Sequence, residues 1–564
     1  MRWTLKPIPE QHKIDALQQA LQVDEVIATL LIQRGIETYN DAKRFFRPSL
    51  SDLHNPYLMK DMDKAVERIE KAISEGENIL VYGDYDVDGT TSVALMSSYL
   101  KTRTDNVATY IPDRYDEGYG VSFKGIDFAS DNDFSLIIAL DCGIKAIDKV
   151  AYAVEKGIDF IICDHHRPSA ELPKAIAVLD PKREDCDYPY KELCGCGVGF
   201  KLIQALAENE GKTIDDLIEY LDLVATAIGA DIVPITGENR TLAYFGMQVI
   251  NSNPRAGFKA IIHQIKKESL TITDVVFIIA PRINAAGRMK HGNHAVTLLT
   301  ETDFELAQQY ASEIEQFNTD RREADQQITH EALLQIEANN EANRHTTVVY
   351  NESWHKGVIG IVASRLTETY YRPTLVFTKS GNTLAASARS VSGFDVYNAL
   401  EACAEHIEQF GGHKYAAGLT LKEENYEAFK QAFEDEVTRT IDKNLLIPEI
   451  KVDLKIDLNA IDDKLMRIMR QFAPFGPGNM TPIFMTDNLK DTGYGKCVGE
   501  DDKHLRITVT SNSLSDHKIV AIGFNLGDKY DLVANKKPFS AVYSIDENIW
   551  NGNVSLQLKL RDIK

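Results

Sequence analysis

Short apolar runs that break into polar turns recur through the first third of the chain. ENILVYGD carries residues 79–82 into a glycine turn and then the helix-like TTSVALMSSYLK; SLIIALDCG (135–143), FIICDHH (160–166) and AIAVLDPK (175–182) repeat the arrangement. Brief apolar stretches alternating with helical segments predict a mostly parallel sheet covered on both faces, with ligands collecting where strands end. Three of the four runs pass directly into aspartate. Residues 62–76 read as an amphipathic helix, and 200–250 as helical, containing LDLVATAIGAD. Apolar positions at Leu306, Tyr310, Ile314, Phe317, Ala324 and Ile328 fall at helical spacing and predict one long connecting helix over 303–340. Two helices broken at Asn318-Thr319 are the alternative.

A second α/β unit is expected from HTTVVYNES (345–353) to about residue 440, with glycine-rich turns at GVIG and GGHKYAAG. Beyond residue 450 the pattern becomes alternating, as in LRITVT and VSLQLKL, which predicts antiparallel strands; Asn551-Gly552 suits a tight hairpin turn. Residues 1–60 read as an irregular, partly helical lead-in broken by prolines. The expected layout is a lead-in (1–50), a parallel-sheet body with a helical extension (51–300), a connecting helix (301–343), a second α/β body (344–445) and a small β-barrel (446–564).

The length of 564 residues suits three or four domains, and 44% hydrophobic with 26% charged residues excludes a fibre or a disordered chain. The net charge of −22 argues against a general basic coat, although residues 451–564 are close to neutral. A local basic channel remains compatible with that balance. No run is long and apolar enough to span a membrane, the first residues lack a secretory pattern, and seven scattered cysteines fit a reducing cytoplasm.

The candidate chemistry lies at the strand ends. Asp84, Asp86 and Asp88 fall within five residues after the first strand, Asp141 ends the second, and Asp164, His165 and His166 end the third. Close-set carboxylates repel one another when ionised, so a cation is expected among them. Carboxylates with an imidazole favour Mn²⁺ over Mg²⁺. Two such ions about 4 Å apart activate water and stabilise a leaving oxygen in phosphoryl chemistry. Asp222, within EYLDLVA, is a candidate to close the site.

GDYDVDGTTS (83–92), DCG (141–143), DHH (164–166), GCGVGFKL (195–202), the aspartate of LDLVATAIGAD, PRINAAGR (281–288) and GGHKYAAG (411–418) occur in order. On these motifs the chain resembles the DHH phosphoesterase superfamily, and within it the bacterial single-strand-specific exonucleases, over about residues 50–564. The resemblance implies a DHH-type catalytic domain, a DHHA1-type second domain and an OB-like terminal barrel. It implies Asp84, Asp86, Asp88, Asp141, His165 and Asp222 as ligands of two Mn²⁺ or Mg²⁺ ions, with His166 facing the substrate phosphate. Several members of the superfamily have histidine where this chain has Tyr82, which implies fewer protein ligands on one ion. Arg114, Arg282, Ser387 and Arg389 correspond to the set that captures a 5′-phosphate, with His355 and His413 lining the same cleft and Asn284 and Arg288 without a firm role. Lys503, Arg506, Trp550 and Lys559 are candidate strand contacts of the barrel.

The implied activity is metal-dependent 5′→3′ hydrolysis of single-stranded DNA to 5′-mononucleotides in recombination and repair, in a bacterial cytoplasm, by a monomer. Single-strand-binding protein and a RecQ-type helicase are the implied protein partners. A small-substrate phosphatase or oligoribonuclease would need neither the long helix nor the terminal barrel. A catalytically silent single-strand binder would have no use for so many carboxylates at the strand ends.

Overall fold

The computed structural model describes every residue except 512, 513, 551 and 552. Five parallel strands form the first sheet, in the order Val107–Tyr110, Asn78–Gly83, Phe134–Leu140, Asp159–Cys163, Ala177–Leu179. Strand residues alternate between two helical layers: Ile79 and Val81 join one core, Leu80 and Tyr82 the other. The chain starts at Asn78–Gly83, steps to one edge, then returns past its start to Phe134–Leu140. The crevice at that reversal is where open α/β sheets bind ligands, and the loops bearing Asp84 and Asp141 open into it.

Residues Phe304–Ala338 form a single 35-residue helix, unbroken at Asn318-Thr319. At 1.5 Å per residue it is about 52 Å long. Ala307, Ala311, Ile314 and Phe317 join the catalytic core, whereas Ile328, Ala332 and Ile336 pack against Val349, Val358 and Val362 of the second body. It is therefore a pillar shared by two cores. The second body is a mixed five-stranded sheet in which Thr383–Arg389 lies between Thr374–Ser380 and Ala416–Leu421, with Gln409–His413 at the edge.

The terminal barrel has five strands, closed where Leu489, Lys490 and Asp491 of Phe484–Asp491 pair with Ser511, Thr510 and Val509 of His504–Ser511. The Asn551-Gly552 turn lies outside the described residues. The lead-in differs from expectation. Its strand Arg2–Leu5 pairs in parallel with Glu449–Val452, and three helices (Gln11–Leu21, Glu25–Ile32, Tyr39–Phe46) share one hydrophobic core with the barrel. The run EVIATLLI is buried at six of its eight positions, and a surface hundreds of residues away supplies the cover.

Arg240 ties this composite to the catalytic body. Its guanidinium donates to the carbonyls of Phe45, Gln471, Phe472 and Ala473 and stacks 3.8 Å from the Phe45 ring. Burial pushes it down to about 10. Beside it, Ile235 N–H donates to the Pro477 carbonyl at 2.7 Å, so FAPFGPGN is a docked joint.

Candidate metal and phosphate site

The strand-end turn after Asn78–Gly83 sets the first carboxylates. Asp86 caps the helix Val87–Lys101 by accepting from Gly89 N–H, while Asp84 and Asp88 are buried on either side of it. Gly89 is required here, since a Cβ would lie 2.4 Å from the Asp84 carbonyl oxygen. Asp88 accepts from the backbone N–H groups of Gly195 and Cys196, both at 2.7 Å, at the start of helix Gly195–Asn209. Gly195 has no room for a side chain: its Cβ would meet that of Asp141 at 2.6 Å.

His165 is the centre of the cluster. Its Nε2 lies 3.2 Å from Asp141, 3.5 Å from Asp231 and 3.7 Å from Asp88. Burial, then the charge of His166, holds His165 down to about 3, so its ring is neutral and suited to a metal. His166 is opposite in character. Burial alone would lower it, but the hydrogen bond from its Nδ1 to Asp164 at 2.8 Å and the charge of that carboxylate push it up to about 9. Asp164 also accepts from the N–H groups of Ile144, His165 and His166. It orients the imidazolium rather than serving the cluster.

Burial, then the charge of Asp86, pushes Asp88 up to about 7; burial, then Asp88, pushes Asp231 up to about 8 and raises Asp141 well above the carboxylate range. Both oxygens of Asp84, Oδ1 of Asp141 and both ring nitrogens of His165 are buried without a hydrogen-bond partner. Orphaned acceptors of this kind call for a cation. Ligand atoms of Asp141, His165 and His166, and of Asp88, His165 and Asp231, lie within 4.8 Å of one another. The donor set fits divalent manganese or magnesium.

Raised carboxyls favour the folded metal-free protein at low pH and lose that contribution as pH climbs through about 7 and 8. An entering ion displaces their protons. Mn²⁺ affinity is therefore expected to rise from about pH 6 to 8 and then level off, with proton release seen by calorimetry in two buffers of different ionisation enthalpy. An affinity flat over that interval would contradict it.

Two expected residues lie elsewhere. Asp222 is fully buried, accepts from Arg255 N, Nε and Nη2 and from Leu223 N, and is absent from the cluster. Asp231, nine positions later and about two and a half turns around the helix Leu221–Ala230, takes its place. LDLVATAIGAD contains both aspartates, and half-turn periodicity was the available signal. Arg282 is the other: its Nε pairs with Glu315 of the long helix at 2.6 Å and an Nη donates to the Ile278 carbonyl. Tyr82 is fully buried, stacks on Tyr110, donates to the Gly120 carbonyl and accepts from Ser122 N–H. It anchors the loop bearing Arg114 and Tyr119.

Arg288, not Arg282, joins the basic cluster. Burial, then the like charges of Arg114, Arg389 and Arg321, pushes it down to about 10. Arg114, Arg288 and Arg389 donate to the carbonyls of Gly287, Gly357 and Ala388, and Arg389 also to Ser387 Oγ. Their charges remain available to an anion. Gly360, in the first turn of helix Ile359–Tyr370, would bring a Cβ within 3.0 Å of Ser387 Oγ and 3.2 Å of Arg389, so the helix N-terminus faces this pair. His355 accepts from Gly357 N–H and stands edge-on to Tyr115. His413 and Gly412 line a cleft of about 510 Å³ with Asp86, Tyr119, Cys142 and His166.

On the barrel, Arg506 and Lys559 both pair with Ile522, on either side of it, so their side chains share a face; Lys559 lies over Phe524, which stands against His504. Phe524, half-exposed, is an aromatic candidate that alternation did not single out. Lys503 pairs with exposed Asp501, and the side chain of Trp550 lies outside the described residues.

Sheet order, cluster and second body define a DHH-type phosphoesterase. Family models agree: residues 78–228 match the DHH family N-terminal domain, 343–439 the DHHA1 domain and 452–562 the RecJ OB domain. The single-stranded-DNA-specific exonuclease RecJ of Bacillus subtilis is 35% identical over 568 residues, covering 100% of this chain and 70% of that protein. Its namesake in Salmonella typhimurium is 33% identical, covering 95% of each. The crystal structure of Thermus thermophilus RecJ in complex with Mn²⁺ superposes with a TM-score of 0.85 at 26% identity, over 100% of this chain and 79% of that one. The corresponding Mg²⁺ complex gives 0.79 at 25% identity, over 100% of this chain and 78% of that one. The chain belongs to the RecJ family.

Proposed function

We propose that this protein is a single-stranded-DNA exonuclease that works from the 5′ end with Mn²⁺ or Mg²⁺, releasing 5′-mononucleotides. One observation carries the reading: a continuous row of side chains joins the arginine cluster to the carboxylate–imidazole cluster. Arg114 lies 3.8 Å over the Tyr85 ring, Tyr85 stands edge-on to Tyr119, and the Tyr119 hydroxyl is 3.3 Å from His166 Nε2. A terminal phosphate held at one end fixes which internucleotide phosphate reaches the other.

In this reading Asp84, Asp86, Asp88, Asp141, His165 and Asp231 hold the ions. When bound, these supply an activated water and neutralise charge on the phosphoryl oxygens. His166, kept cationic by Asp164, donates toward the phosphate being cut, and Arg114, Arg288, Ser387 and Arg389 hold the terminal one with the charge-assisted geometry that arginine suits. His355 and His413 line the approach. Cleaving the P–O3′ bond leaves a new 5′-phosphate on the shortened strand, so each turnover regenerates the group the arginines bind. Arg506, Lys559 and Phe524 offer the distal strand charge and a stacking face.

The test is digestion of a 5′-phosphorylated single strand with Mn²⁺, beside its duplex, a dinucleotide and the Asp141→Ala protein. Loss of nucleotides from the 5′ end of the single strand only, absent in the variant, is expected; consumption of the dinucleotide alone would overturn the reading. Arg288→Ala should reduce the preference for 5′-phosphate over 5′-hydroxyl ends by about 10-fold or more, the worth of one charged hydrogen bond, whereas Arg282→Ala should leave that ratio nearly unchanged. Paired kcat/KM values on the two ends check this. Work as a monomer in the cytoplasm, in recombination and repair, beside single-strand-binding protein and a RecQ-type helicase, belongs to the same proposal. No described helix is long and apolar enough to cross a membrane.

A further inference from the structure

Three segments meet beside the arginine cluster, and two of them belong to different bodies. Tyr115, in the loop that also bears Arg114 and Tyr119, donates its hydroxyl to the Arg288 carbonyl at 2.5 Å. Arg288, in the last turn of helix Ala280–Met289, donates through Nη1 to the Gly357 carbonyl at 3.1 Å. Gly357 belongs to the second body, two residues before helix Ile359–Tyr370. A Cβ on Gly357 would lie 2.5 Å from the Tyr115 hydroxyl, 2.6 Å from the Arg288 carbonyl oxygen and 3.2 Å from the His355 ring. Only glycine lets the backbone come this close.

A second close approach lies behind Arg114, which donates to the Gly287 carbonyl. A Cβ on Gly287 would lie 2.6 Å from the Tyr85 carbonyl oxygen, so these two stretches of backbone are also in contact. At the other end of the row, beyond Tyr119 and His166, the cleft of about 510 Å³ opens. Charge alone cannot confine cleavage to strand ends. A terminal phosphate carries about one and a half to two negative charges and an internal one carries about one. That difference favours an end by about 10-fold, the worth of one charged hydrogen bond. Internal phosphates outnumber the end by more than this on any long strand.

We propose that the Tyr115–Arg288–Gly357 contact is a stop that closes the passage beyond the arginines and admits only strands with a free 5′ end. A terminal phosphate has nothing on its outer side and fits against the stop. An internal phosphodiester carries a further nucleotide there, and that nucleotide collides with the Tyr115 ring and the Gly357 backbone. The arginines recognise the charge of the end, while the stop excludes everything that continues past it. Tyr115 is thus a specificity-determining residue that need not touch the reacting phosphate. This inference rests on the exonuclease reading above.

The test compares a circular single-stranded DNA, which has no end, with the same DNA linearised and 5′-phosphorylated, each incubated with Mn²⁺. Loss of the circle and of the linear strand is followed on denaturing gels. The unaltered protein should digest the linear strand and leave the circle. Tyr115→Ala removes the ring and should open circles, disfavouring each internal phosphate by only the factor of about 10 that charge supplies. Gly357→Ala, which wedges the same contact apart, should shift the circle-to-linear ratio in the same direction. Tyr115→Phe keeps the ring and should shift it less. Unfolding midpoints of all four proteins serve as the folding control. A merely structural role would lower activity on both substrates in the same proportion, and an unchanged ratio in folded Tyr115→Ala and Gly357→Ala overturns the inference. Circles opened by the unaltered protein overturn it as well, while leaving the metal chemistry standing. Failure of the unaltered protein to digest the linear strand removes the exonuclease reading and this inference with it.

Discussion

Asp231→Ala should lower exonuclease activity by about 1,000-fold while leaving the fold intact, whereas Asp222→Ala should do the reverse and damage the fold. Asp231 caps the helix Leu221–Ala230 with its carboxylate 3.5 Å from His165, in a group of ligand atoms within 4.8 Å of one another. Losing one ligand of a cation that supplies several kcal/mol of transition-state stabilisation corresponds to roughly three powers of ten. Removing it also relieves repulsion among buried acids, so the metal-free protein should be as stable or more so. Asp222 instead neutralises Arg255 in a buried pair in which three donor groups of that residue reach one carboxylate. Breaking such a pair costs about 3–5 kcal/mol because the arginine is left uncompensated. Thermal unfolding and Mn²⁺ titration of the two proteins separate these outcomes. Equal loss of metal affinity in a folded Asp222→Ala protein would contradict the assignment.

Deleting residues 1–47 should unfold the terminal barrel, although the deleted segment lies at the other end of the chain. Ile14, Leu17, Ile27, Leu30, Leu31 and Phe45 are buried in one core with Phe472, Phe484, Leu505 and Tyr543. At about 1.5–3 kcal/mol for each buried side chain, these six are worth roughly 9–18 kcal/mol, comparable to the whole stability of a domain. The truncated protein would also expose apolar barrel surface and strip the strand Arg2–Leu5 from Glu449–Val452. Amide exchange across His504–Ser511 should lose its protection, and long-strand binding should fall with it. Leu31→Ala, a milder probe, should cost about 2–5 kcal/mol in the same exchange measurement while leaving Mn²⁺ affinity unchanged. Full protection of the barrel in the truncated protein would show that the shared core is dispensable.

Much of the molecule is legible from local pattern. The apolar runs of the first sheet, the aspartates at their ends and the spacing of the long helix are set by residues a few positions apart, because strand and helix periodicities are short-range properties. DHH, DCG and DYDVD could be assigned to one crevice because parallel strands place their ends side by side. What depends on rotation about an axis was not legible: Asp222 and Asp231 lie in one eleven-residue motif, and only their facing, half a turn apart, separates a buried ion pair from a metal cluster. The same holds for Arg282 and Arg288, six positions apart on neighbouring turns, one spent on Glu315 and the other facing Arg114 and Arg389. The lead-in illustrates the longest-range case. EVIATLLI announces that it must be buried, but its cover is a barrel more than four hundred residues later, and no local pattern encodes that pairing. Sequence by itself determined the elements, the family and the chemistry of the strand ends. Tertiary structure alone decided which carboxylate, which arginine and which tyrosine meet there, since a side chain's partner is set by packing between elements that the chain brings together only on folding.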